Sequence, residues 1–288
     1  MKLNDLNQNY HLIDSGHGRK LEQFGPFLLS RPSSQAVWNP QLPEQEWQKA
    51  DAIFLREGDS KWVRKAGLAE SWIVEVAGIK FKISPTDFGH LGIFPEQHDF
   101  WQCMQDIIAR AKETSHSEIK VLNLFAYSGG STLAAAKAGA HVCHLDASKG
   151  MVAWARENAS LNRLEKAPIR WIIDDVSKFL QRELRRGNRY DAIILDPPTF
   201  GRGSQGEVFK IEDSILSLLK NCRDLLSDKP LFILFSCHTP GFTPIVMHHL
   251  MSQMMNGLGG KIDQGEMLLK GLKDALPLPS GTFARWQA

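Results

Sequence analysis

From Ile119 onward, short apolar runs alternate with segments of helical period. "IKVLNLF", "AHVCHLD", "IRWII", "YDAIILD" and "PLFILFS" read as strands, and "STLAAAKAG", "KGMVAWARENASL", "VSKFLQRELRR", "SILSLLKNCRDLL" and "PIVMHHLMSQMM" as the helices that follow them. Weaker strands near "GEMLLK" and "TFARWQ" close the series. Strands that are apolar almost throughout are covered on both faces, and helical crossovers make successive strands parallel. The expected fold class is therefore α/β, a Rossmann-like doubly wound sheet of about seven strands. Such sheets bind ligands beyond the carboxyl ends of their strands, near the point where strand order reverses. The residues at the strand ends are the ones to examine.

The part before this pattern is built differently. To about residue 85 it is rich in glycine, proline and tryptophan, and "SWIVEVAGIKFKIS" alternates about Ala77-Gly78 as a β-hairpin does. We expect a small β-rich N-terminal domain over 1–85 and a catalytic domain over 86–288. An amphipathic helix opens the second, with Phe100, Trp101, Met104, Ile107 and Ile108 at helical spacing. A hydrophobic share of 43% with 23% charged residues is that of a soluble globular protein, and a net charge of +2 does not mark a nucleic-acid binder by itself. The four cysteines, at 103, 143, 222 and 237, form no CxxC pair, so neither a metal site nor a disulfide framework is expected. The N-terminus lacks the apolar core of a signal peptide, and no run is long enough to span a bilayer. A cytoplasmic location and no membrane partner follow as expectations.

The first strand ends in "NLFAYSGGST", Asn123 to Thr132. Small residues at 126 and 128–130 allow a tight turn before a helix whose N-terminus favours a negative group. The second strand ends at Asp146, where an acid can accept hydrogen bonds from a ribose diol. The third ends in Asp174-Asp175, and Asp175 is the better acceptor for an adenine amino group, although it also suits the N-cap of the next helix. The fourth ends in "LDPPTFGRG". Pro197 and Pro198 fix φ and donate no hydrogen bond, so the chain beyond Asp196 is stiff and rich in acceptors. Such an edge can hold a flipped base by its polar rim while Phe200 stacks on its face, and "GRGSQGE" can close as a lid.

The loop is not a GxGxxG dinucleotide motif. It is similar to the first motif of S-adenosylmethionine (SAM) methyltransferases, and "DPP" resembles the fourth motif of those acting on nucleic-acid bases. Together "GHLGIFPEQ", "VLNLFAYSGGSTLAAAKAGAHVCHLDAS", "DDVSKFL", "LDPPTFGRG" and "FSC" resemble the class I SAM-dependent methyltransferases of large-subunit ribosomal RNA, of 5-methylcytosine and 7-methylguanine type, from about Phe88 to the C-terminus. The resemblance implies SAM as cofactor, RNA as partner, and a seven-stranded sheet whose last strand is antiparallel. It implies cofactor contacts from Phe94 and Gln97, from Asn123, Phe125, Ala126, Tyr127 and Gly129, and from Asp146, Asp175 and Asp196. It places Pro197, Pro198 and Phe200 against the acceptor. One departure is His98, where the family usually has arginine.

Cys237 ends the fifth strand. In the 5-methylcytosine branch a cysteine of an "SC" pair after this strand is the nucleophile, and a thiolate adding at C6 would make C5 reactive, with Asp196 at the ring edge. The competing reading is a buried cysteine acting as a small hydrophobe, with transfer to a base nitrogen or to an amine of a protein or small molecule. A non-catalytic nucleotide-binding module is the third class, which the motif set disfavours. His238 is expected on the opposite face from Cys237 by strand alternation. The arginines at 182, 185, 186 and 189 and "KWVRK" at 61–65 are possible phosphate contacts or ordinary solvated charge. "MHHLMSQMM" has no metal spacing and reads as a packing helix.

Overall fold

The computed structural model describes residues 10–56, 60–114, 118–202, 206, 208–271 and 275–288. The chain divides into two compact units, Met1–His98 with Leu268–Ser280, and Asp99–Met267 with Gly281–Ala288.

In the first unit β1 (Tyr10–Gly16), β2 (Arg19–Phe24), β3 (Phe27–Pro32), β4 (Ala52–Leu55) and β5 (Lys61–Arg64) form one sheet in sequence order, with a short helix α1 (Glu44–Trp47) between β3 and β4. Only β3 and β4 pair in parallel among these strands. β6 (Trp72–Val76) and β7 (Ile79–Ile83) are the hairpin expected around Ala77-Gly78, and both turn residues have positive φ, 52° and 70°. That pair of left-handed residues gives the turn a twist matching its strands. Leu12, Ala36, Leu269 and Leu278 form one small core, and Leu21, Trp47 and Ala50 another. Glu22 is fully buried, but Arg31 grips it through Nε at 2.7 Å and Nη2 at 2.9 Å, and Lys20 and the Tyr10 hydroxyl also reach it. Those partners hold its carboxyl below the usual range against the opposing effect of desolvation.

The second unit opens with α2 (His98–Thr114), whose buried side is Phe100, Trp101, Met104 and Ile108. Strand and helix then alternate: β8 (Lys120–Leu124), α3 (Gly130–Lys137), β9 (His141–Asp146), α4 (Lys149–Leu161), β10 (Ile169–Ile173), α5 (Val176–Arg185) and β11 (Ala192–Leu195). A two-stranded arm, β12 (Phe200–Arg202) with β13 (Val208–Lys210), precedes α6 (Ile211–Asp224), β14 (Phe232–Cys237) and α7 (Pro244–Met254). β15 (Lys261–Leu269) and β16 (Leu278–Gln287) are longer than the weak apolar runs indicate. The sheet has seven strands in the order β10-β9-β8-β11-β14-β16-β15. β16 runs antiparallel to β14, and the strands from β10 to β14 are parallel. This is the expected doubly wound fold, and its order reverses at β8, between β9 and β11. The expected lid spans 201–207, of which 203–205 and 207 lie outside the described residues; Gly201 and Arg202 pair with Phe209 and Val208.

Candidate active site

The loop after β8 is a strained turn held by polar groups. Phe125 and Tyr127 have φ of 56° and 51°, and Gly129, at 93°, is the N-cap of α3. Left-handed conformations at non-glycine residues cost on the order of 1–3 kcal/mol each and persist where surroundings over-determine them. Here the surroundings are explicit. The Ala126 N–H donates to the Leu145 carbonyl at 3.0 Å, and the Tyr127 N–H donates to Asp146 Oδ2 at 2.9 Å. The buried Asn158 amide donates to the Ser128 carbonyl at 3.0 Å. The other Asp146 oxygen accepts from the Ser148 N–H at 2.8 Å. Desolvation raises the Asp146 pKa and these two N–H donors oppose the rise.

The glycines of this loop serve packing within the protein. A Cβ on Gly130 would lie 2.5 Å from the Trp101 ring, and one on Gly129 would lie 3.0 Å from Ala155 Cβ. Trp101 also donates to Ser131 Oγ at 3.2 Å. The Asn123 amide donates to Thr132 Oγ1 at 2.9 Å in the buried interior. After β10, Asp175 Oδ1 accepts from the Lys178 N–H at 3.0 Å and so caps α5, while Asp174 pairs with Arg182.

The ends of β11 and β14 lie side by side, since Leu195 is in register with Phe235. The Thr199 and Thr239 hydroxyls are 2.8 Å apart and tie the two strand-end segments together. His238 Nε2 is 3.7 Å from Asp196 Oδ2. The sequence discounts His238 as a partner of the Cys237 thiol, and its neighbour here is Asp196; β14 ends at Cys237, and beyond a strand end the side-chain direction is no longer fixed. Phe200 is 49% exposed, and the arm is anchored by Phe209, whose ring lies 5.2 Å from that of Phe125. Cys237 is 1% exposed, and its Sγ accepts the Thr239 N–H at 3.4 Å. Burial pushes the thiol up, and the negative charges of Asp196 and Glu212 add to the rise.

The remaining marked residues lie on other elements. Phe94 and Gln97 lie in the first unit, where Phe94 precedes the 3₁₀ turn Pro95–Gln97 and Gln97 is buried. Glu183 is fully buried and takes Arg170, Arg186, the Asn188 amide and the Tyr190 hydroxyl, so the arginine-rich segment is partly neutralised. In "KWVRK" the Trp62 indole donates to the Thr86 carbonyl at 2.8 Å. In α7, Met247, Met251 and Met254 are buried, as the packing-helix reading expects. The described residues contain no helix long and apolar enough to cross a membrane.

The S-adenosylmethionine-dependent methyltransferase family matches residues 54–244, most of the chain and all of β8 to β14. The chain belongs to this family. The methyltransferase is 42% identical to the SAM-dependent methyltransferase of Agrobacterium tumefaciens, whose crystal structure matches with a TM-score of 0.91 over 99% of this chain and 92% of that one. It is 28% identical over 189 residues to ribosomal RNA large subunit methyltransferase K/L of Pseudoalteromonas translucida, covering 65% of this chain and 25% of that protein. To ribosomal RNA large subunit methyltransferase I of Aeromonas salmonicida it is 34% identical over 132 residues, covering 46% and 31%. The methyltransferase thus spans a quarter to a third of the length of these curated relatives. Its cofactor is SAM.

Proposed function

We propose that this methyltransferase modifies a nitrogen on a base of RNA, held at the Asp196–Phe200 edge, with the cofactor at the ends of β8 to β10. The observation that carries the acceptor side is the Thr199–Thr239 tie, which fixes the stiff Pro197-Pro198 edge beside the end of β14. Asp196 on that edge would accept a hydrogen bond from an amino or ring N–H and orient the nitrogen; Phe200 would stack on the base. The distant ribosomal RNA methyltransferases among the relatives support RNA as the acceptor. Residues 1–85 would form an accessory domain ahead of a catalytic domain over 86–288.

The strand ends suit the cofactor chemically. SAM brings an electrophilic methyl sulfonium, so the protein must bind, orient and keep water away. A ribose diol is a pair of donors, and Asp146 is a part-buried carboxylate of which each oxygen accepts one backbone N–H, leaving a lone pair on each. We assign the diol to Asp146 and the adenine amino group to Asp175, with the backbone from Phe125 to Gly129 against the rest of the cofactor.

Cytosine C5 is the second reading, favoured by the place of Cys237 at the tip of β14 beside β11. It ranks lower because the thiol is buried and raised, so little thiolate is available at neutral pH. Mass mapping of ribosomal RNA nucleosides from a strain lacking the gene, against its parent, tests both. Loss of one N-methylated nucleoside is expected. Loss of 5-methylcytidine would promote the cysteine reading, and an unchanged RNA with methyl label entering protein would move the acceptor to an amine.

A further inference from the structure

Two buried polar side chains and an aromatic one share a rung of the sheet. Asn123 on β8, His144 on β9 and Trp171 on β10 are direct partners in register. The next rung toward the strand ends is Leu124, Leu145 and Ile172. Burying amide, hydroxyl and imidazole costs free energy unless each is hydrogen-bonded, so such a rung calls for a reason. Asn123 Nδ2 donates to Thr132 Oγ1 at 2.9 Å, and Thr132 Oγ1 lies 2.8 Å from His144 Nδ1. All three are buried, with Thr132 and His144 fully so.

The surroundings show what this chain supports. Thr132 is in the first turn of α3. A Cβ on Gly129 would come within 3.8 Å of His144 Cε1, so the imidazole floors the strained turn. His144 is also two residues before Asp146 on the same strand. The geometry points to Asn123, Thr132 and His144 as a positioning triad that sets the cofactor loop in its SAM-binding conformation, with Thr132 donating to His144 Nδ1 and the imidazole proton on Nε2.

The proton assignment is part of the proposal, since the separation alone gives no donor. Thr132 has one hydroxyl proton, and its oxygen already accepts from Asn123. The imidazole can then serve only as acceptor at Nδ1 if the hydroxyl donates to it. That leaves an N–H at Nε2, which has no hydrogen-bond partner among the described residues. The His144 ring lies 4.7 Å from that of Trp171, tilted by 56°, so an aromatic face is the neighbour available to it. Arg156 sits on the same Trp171 ring, 5.8 Å from its centroid. Burial, reinforced by that arginine, pulls the imidazole down to about 3, so it stays neutral and able to accept. The hydrogen bonds of the triad run among its own members, and its role rests on the cofactor reading of the loop, so it bears on SAM binding whether or not the RNA reading holds.

Two measurements on the full chain test it. In wild type, ¹⁵N chemical shifts of the imidazole should report the neutral Nε2–H form of His144. An Nδ1–H form or an imidazolium at neutral pH would overturn the proposal without any variant. Calorimetric titration of SAM then compares Thr132→Val with Thr132→Ser. Thr132→Val removes both hydrogen bonds from buried partners, worth a roughly 5- to 100-fold rise in the dissociation constant if the loop depends on them. Thr132→Ser restores the hydroxyl and should bind within about twofold of wild type, because the same donor and acceptor return. Folded Thr132→Val that binds SAM as wild type does, or Thr132→Ser that binds as weakly as Thr132→Val, would reduce the triad to packing.

Discussion

The two groups of strand ends in the second unit are held by opposite means. The loop after β8 is supported from beneath by buried and part-buried side chains, with Asn158 under Ser128, Asp146 under Tyr127 and the Asn123–Thr132–His144 chain under Gly129. The edge after β11 is stiffened by its own covalent structure, two prolines, and fastened by one hydroxyl pair, Thr199 with Thr239. The first arrangement resists distortion because each buried group would be stranded by movement. The second leaves Phe200 half in solvent. The proposed pairing of a small, constant cofactor with an RNA acceptor calls for that asymmetry.

The largest expected effect lies on the acceptor side. Asp196→Ala should lower turnover by roughly 10²-fold or more, the scale for a positioned group at the reacting atoms, in single-turnover assays with saturating SAM. An unchanged rate would break the contrast at its strongest point. Phe200→Ala should raise the KM for RNA by about 5- to 100-fold with the KM for SAM unmoved, since base stacking is worth roughly 1–3 kcal/mol. Equal rises in both would place the ring against the cofactor.

Stability should divide the same way. Gly130→Ala drives a methyl into the Trp101 ring and should cost about 1–3 kcal/mol in denaturant unfolding. Gly201→Ala, where the nearest atom is Pro198 Cγ at 3.4 Å, should stay within about 0.5 kcal/mol. The smallest effect is expected at Cys237. Cys237→Ala should keep turnover within a few-fold, and RNA carrying 5-fluorocytidine should form no covalent adduct with wild type. A trapped adduct would make the thiol the nucleophile despite its burial.

Much of this arrangement is legible in the chain itself. The parallel strands announce themselves as apolar runs, and Asp146 and Asp196 stand where those runs stop. The hairpin at Ala77-Gly78 shows in its alternation. What stays hidden is non-local. The resemblance implies Asn123 as a cofactor contact, and its bond to Thr132, and through it to His144, depends on the register of β8 with β9. The approach of His238 to Asp196 is hidden as well, because it is set by the chain beyond the end of the strand. The β12–β13 arm is missed because strands of three residues flanked by glycine carry too little period to recognise. The return of Leu268–Ser280 to the first unit is invisible for a similar reason, as its pairing partner is Leu12, far away in sequence.

The central claim is that the loop end serves the cofactor and the proline edge serves the acceptor. Side-by-side calorimetric titration of SAM into Asp146→Ala and Asp196→Ala tests it most directly. Asp146→Ala should lose about 10- to 100-fold in affinity, the worth of hydrogen bonds to a charged acceptor, while Asp196→Ala binds SAM within a few-fold of wild type. Wild-type affinity in Asp146→Ala together with a large loss in Asp196→Ala would contradict the account.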